Sequence, residues 1–146
     1  MRHLCLLLCA IATISLAACS RSQQASASSE SEATSRIESI PAADQAKYRD
    51  ARKIKNWQNP YLVIRADSIG LMDLANYEEH HIKPAEVAQA LAKLPTSSWP
   101  YGRVVAVEEP KRPASQVEVD AIRKNRAILA GTLESMHVQI DWIPAP

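Results

Sequence analysis

Very little in this chain of 146 residues belongs to a recognisable chemistry. Its three cysteines are Cys5, Cys9 and Cys19, so the remainder offers no thiol for a disulfide, a metal or a redox couple. No apolar run reaches the roughly 20 residues that span a bilayer. Only three glycines are present, and none builds a glycine-rich loop that could cradle a phosphate. No serine or cysteine sits in a nucleophile elbow. Excess charge is missing as well: 17 basic residues face 16 acidic ones, and loss of Arg2 would level the two at 16. Without a basic field, nucleic-acid binding is not expected.

What is present begins at the first residues. Arg2 and His3 give a basic start, Leu4 to Leu16 an apolar run of about 13 residues, and Leu16-Ala17-Ala18-Cys19 a stretch of small residues before a cysteine. The run is too short to cross a membrane and has the order of a signal peptide. The Leu-Ala-Ala-Cys box resembles the lipobox of bacterial lipoproteins. That resemblance implies cleavage before Cys19 and three acyl chains on it, and two chains already suffice for stable anchoring. It implies a cell-envelope protein held on a periplasmic face. In the enteric sorting scheme Asp after the cysteine retains a lipoprotein in the inner membrane; Ser20 stands there, which points to the outer membrane.

The expected organisation is therefore a signal peptide (1–18), a lipidated cysteine with a disordered Ser/Gln/Glu linker (19–40), and one domain (41–146) with its core at about 57–143. A linker of about 20 residues has an r.m.s. reach of roughly 25 Å. Pro41 to Trp57 reads as a short helix, with basic residues from Lys47 to Lys55 around it that would meet anionic lipid or simply solvent.

Strand and helix signals then alternate. Tyr61 to Ala66 reads as a strand with Leu62, Ile64 and Ala66 on one face. Ile69 to Leu74 reads as a weaker one, and Ala75 to Lys83 as a loop. A helix opens at Pro84, with Val87, Ala88, Leu91 and Leu94 as its stripe. Arg103 to Glu108 follows as a strand. Ser115-Gln116-Val117-Glu118 forms a capping box ahead of a long helix whose stripe is Val119, Ile122, Leu129, Leu133 and Met136. Val138 to Ile143 closes the domain as a strand. The fold class is α+β: a small mixed sheet of three to four strands with two main helices, in the order β-β-α-β-α-β.

This order, and the phrase Tyr101-Gly102-Arg103-Val104-Val105 leading into a strand, are similar to the periplasmic domain of the ExbD/TolR family of biopolymer-transport proteins over about residues 57–143. The resemblance implies helices on one face of the sheet and a domain that binds a partner or the cell wall. Proton coupling is not implied, because that family's transmembrane helix and its aspartate have no counterpart in the processed signal.

The candidate site residues are few. Trp99, Tyr101 and Arg103, with Pro100 and Gly102 between them, join two aromatics and a guanidinium, the residue types that dominate binding hot spots; they would equally roof the core. Glu78-Glu79-His80-His81 gathers metal-ligand types without the spacing of a closed set. His137 lacks a nucleophile, and Asp67, Asp73, Glu108 and Asp141 are carboxylates that only a fold could pair. The reading is of a non-enzymatic interaction or assembly domain without cofactor or metal. An envelope protein is the expected partner, with peptidoglycan or a small ligand as the alternative. Replacing Cys19 with alanine in the full chain should abolish incorporation of labelled palmitate and release the protein from the membrane fraction. Label retained on that variant would refute the lipobox.

Overall fold

The computed structural model describes residues 28–48, 57–110 and 113–143. The chain divides into two units, Met1–Glu32 and Ala33–Pro146. In the first, the described residues 28–32 are helical. The second holds the sheet and its helices, and helix α1 (28–38) contributes to it from Ala33 onward.

Five strands form one mixed sheet: β1 Tyr61–Ile64, β2 Ile69–Asp73, β3 Glu78–Ile82, β4 Val104–Glu108 and β5 Gln139–Ile143. Their spatial order is β3-β2-β1-β4-β5. The pairs β1–β2 and β2–β3 are antiparallel, whereas β1–β4 and β4–β5 are parallel. A 3-10 turn at Pro84–Glu86 leads into α2 (Val87–Lys93), and α3 (Gln116–Ser135) connects β4 to β5.

Side-chain alternation sorts the core into two layers. Leu62, Ile64, Val105 and Val107 meet the helices, which supply Ile37 from α1, Leu91 from α2, and Ile122, Leu129 and Leu133 from α3. On the opposite face Tyr61, Val63, Val104, Ala106 and Ile143 pack with Trp57, Tyr48 and Tyr101. The three helices among the described residues therefore pack on one side.

The α+β class and the mixed sheet agree with the sequence reading, while the strand count, helix count and order differ. Glu78 to Ile82, expected in a loop, is an edge strand. Its register is set by the turn before it: Asp73 accepts from the Ala75 N–H and the Asn76 amide at 2.9 Å each, an Asx-type turn that pairs Asp73 with Glu78. The expected linker also differs, because residues 28–38 are helical and Ala33, Ile37 and Ile40 are buried. Their spacing of four and three makes an apolar stripe inside a Ser/Glu-rich stretch. Nor are the described residues 41–48 helical. Their backbone is used elsewhere: the Asp44 N–H donates to the Tyr101 carbonyl, and the Pro41 carbonyl accepts from the Arg103 N–H, both at 2.9 Å.

The long helix is built as its sequence suggests. Ser115 Oγ accepts from the Glu118 N–H at 3.2 Å, and the Glu118 carboxylate reaches back to the Ala114 N–H, so orphan donors at the start are satisfied. At its other end His137 adopts φ +54°. Its N–H donates to the Glu134 carbonyl and the Val138 N–H to the Leu133 carbonyl, each at 2.9 Å. That is a Schellman stop with histidine where glycine is usual.

One side chain ties the two halves of the sheet together. Asn59 is 1% exposed; its Nδ2 donates to the carbonyls of Gly102 and Val104 at 2.7 Å each, and its Oδ1 accepts from the Tyr101 N–H at 2.9 Å. Gly102 has φ +81°, and a Cβ there would run into the backbone of Pro41 and Ala42. Asn59→Ala should cost about 3 kcal/mol, since it strands several buried backbone groups. Calorimetry should register a fall in Tm of roughly 10 °C; a fall of about 2 °C or less would show that the clamp is dispensable.

Candidate functional site

The sheet face opposite the three described helices carries a cavity of about 230 Å³, lined in part by Tyr61, Arg65, Tyr77, Glu79 and Glu108. Strand register explains why it exists. Val63 lies between Gly70 on β2 and Glu108 on β4, so the floor is a valine beside a glycine. Longer side chains on the same face stand around that depression.

Arg65 and Glu79 are bonded twice, Nε to Oε1 at 2.9 Å and Nη2 to Oε2 at 2.6 Å. The glutamate side chain is 19% exposed and the arginine 41%. To make this pair Glu79 must cross β2, and it passes over Gly70, where any Cβ would strike its carboxylate. The arginine hydrogen bond is the main cause that holds the Glu79 carboxyl below the ordinary glutamate range, against the opposing effect of burial. The backbone of Arg65 is fixed from the helical side. Asn125 of α3, itself buried, donates to the carbonyls of Arg65 and Ala66 at 2.8 and 3.1 Å.

Tyr61 donates its hydroxyl to Glu108 Oε2 in a short hydrogen bond. Burial first, and then that bond, push the phenol well above its ordinary range. Tyr77 closes the rim at φ +57° and is 77% exposed.

Beside the cavity Ser68 Oγ lies 3.0 Å from His81 Nδ1 and donates to Asp67 Oδ1 at 2.9 Å. His81 Nε2 is 4.0 Å from Glu79. A hydroxyl has one proton. With it given to Asp67, His81 Nδ1 is the donor to Ser68, the reverse of a base drawing a proton from a nucleophile. Ser68 is also buried.

A larger cavity, about 490 Å³, opens among Asn59, Asp73, His80, Leu94 and Ser98. Its carboxylate is already used by the β2–β3 turn, because Asp73 is held below its ordinary range chiefly by the Ala75 N–H. The smaller cavity is the one in which a guanidinium, a phenol and two carboxylates meet.

The sequence-derived candidates are dispersed. Cys19 lies outside the described residues, as does most of the basic run; Lys47 pairs with Asp44 at 3.6 Å. Trp99 is 3% exposed and belongs to the helical side. Tyr101 belongs to the other face, its ring 5.4 Å from that of Trp57, and Arg103 is half-buried with its N–H on Pro41. These three do not share one surface. Alternation along β3 likewise sends Glu78 and His80 to one face and Glu79 and His81 to the other. Among the described residues no group of three His, Cys, Asp or Glu is placed to hold a metal, and no helix is long and apolar enough to cross a membrane. His137 Nδ1 meets Glu38 at 2.7 Å on the surface, and Asp141 is half-buried in β5.

Glu108 was legible as a strand carboxylate, and Glu79 as part of the polar tetrad. Arg65, Tyr61 and Gly70 carry no local sequence signal of a site. The signal that would have found them is same-face register once three strands are paired. Compared with protein-family models, curated proteins and solved structures, the chain finds no match.

Because Glu79 has a lowered folded pKa, its contribution to stability is fully present above the ordinary glutamate value of about 4.3 and is lost as pH falls through the lower folded value. At pH 7 Arg65→Met should therefore cost about 1 kcal/mol, a modest figure for a partly exposed pair. Urea midpoints of variant and wild type should converge as pH falls through that lower value. An unchanged gap there would mean that the ion pair is not its source.

Proposed function

We propose that this chain is a lipid-anchored protein of the bacterial envelope whose α+β domain binds a partner and performs no catalysis. Leu16-Ala17-Ala18-Cys19 supports the anchor, with Ser20 favouring the outer membrane, and the charge balance argues against nucleic acid. The observation that carries the non-enzymatic reading is the bonding pattern at the cavity. Arg65 is held by Glu79, Glu108 by Tyr61, and the Ser68 proton is directed to Asp67. Among the described residues at the cavity no general base faces a nucleophile. The resemblance of the Tyr101 to Val105 phrase to the ExbD/TolR periplasmic domain fits an assembly role with another envelope protein. No cofactor or metal is required by this reading.

A second reading, binding of a small ligand or of peptidoglycan, is favoured by the cavity itself, which gathers charged and apolar groups on the face opposite the described helices. Crosslinking the native protein in its own envelope tests the anchored-module reading. Discrete adducts should form and should vanish for Cys19→Ala expressed at the same level. Equal capture by the unanchored variant would overturn it.

A further inference from the structure

The cavity carries one inference further, and it rests on the ligand-binding reading above. We propose that it binds a free α-amino acid, with the ligand carboxylate on the Arg65 guanidinium and the ligand ammonium on the Glu108 carboxylate.

Unused bonding capacity is the starting point. A guanidinium has five N–H donors, and Glu79 accepts from Nε and Nη2, so Nη1 and one N–H of Nη2 are left. With 41% of its side chain exposed, Arg65 stays accessible where it lines the cavity. Glu108 accepts from Tyr61 on Oε2, and Oε1 has no partner among the described residues. Arg65 stands two residues beyond Val63 on the same face, and Glu108 is the β4 partner of Val63. Two residues along and one strand across separate their backbones by roughly 8 Å, a gap that two long side chains reduce to the span of one small zwitterion.

Charge selects the class. An anion alone would meet Glu108, and a cation alone would meet Arg65. Only a ligand bearing both signs matches both ends, and Arg–carboxylate geometry adds directional strength. The Arg65–Glu79 pair positions the guanidinium, and Gly70 allows that pair to form. Apolar lining from Met72, Leu74 and Pro110, with the Tyr77 ring, would receive an aliphatic side chain. A volume of about 230 Å³ corresponds to about eight waters at roughly 30 Å³ each, the scale of an amino acid.

The test is isothermal titration of the full chain in detergent with L-leucine, L-leucinamide and N-acetyl-L-leucine. Leucine should bind at one site, with both blocked forms at least about tenfold weaker, equivalent to about 1.4 kcal/mol. Glu108→Gln, which keeps an acceptor for Tyr61, and Arg65→Lys, which keeps the charge opposite Glu79, should each weaken leucine at least about tenfold while circular dichroism shows the fold retained. Glycyl-leucine, whose charges are set farther apart, should bind more weakly than leucine. Absence of leucine binding at millimolar concentration overturns the proposal, as does equal binding of either blocked form or of the dipeptide. If leucine fails while Cys19-dependent crosslinking persists, the ligand class falls and the anchored module stands.

Discussion

The parallel junction between β1 and β4 is the constraint on which the rest of the molecule depends, and a buried amide holds it. Antiparallel neighbours take their register from a short turn; parallel neighbours cannot, because their connection is long and carries no registration of its own. Here the connection includes two strands and a helix. Asn59 stands two residues before β1, bonded to residues on both sides of the β4 start, and so brings the strand starts level. A slip of one residue would turn every side chain of β4 to the wrong face. Glu108 would then point at the helices and Val107 at the cavity. The polar site and the apolar core thus share one determinant.

The same junction explains how the molecule divides its faces. Three helices among the described residues pack on one side of the sheet, where Ile37, Val87, Leu91, Leu129 and Leu133 of their apolar stripes meet strand residues that are buried as fully. The other side is covered in part by aromatic rings, Tyr48, Trp57 and Tyr101, within about 6 Å of one another. Beyond them the small side chains of Val63 and Gly70 leave room, and that room is occupied by ionisable groups bonded in pairs. Burying such groups is tolerable only when each has a partner, and the pairing also leaves Arg65 and Glu108 with directed, unspent bonding capacity.

Much of this architecture was legible in the sequence, and the reasons for success and failure are local. Leu62, Ile64 and Ala66, the stripe from Pro84, and the capping box at Ser115 each carry their structure in adjacent residues. Strand β3 does not: Glu-Glu-His-His has poor strand propensity, and only pairing to β2 makes it extended. Helix α1 was hidden by a Ser/Glu-rich background in which three apolar residues suffice to dock it. Trp99 and Tyr101, two positions apart, looked like one site and are separated by the sheet itself. The candidate site was least legible of all. Tyr61 and Glu108 are 47 residues apart and Arg65 and Glu79 are 14 apart, distances over which no periodicity reports.

The polar character of β3 has a consequence of its own. As the outermost strand beside β2 it presents a row of backbone groups to any chain that approaches, and such rows are natural templates for aggregation. An incoming strand would have to set its side chains against Glu78 and His80 on one surface and Glu79 and His81 on the other. Covering those groups strips water from charges that an added strand cannot neutralise. The residues that make this segment read as a loop thus also oppose strand addition along the sheet edge, where no covering strand is paired to β3 among the described residues.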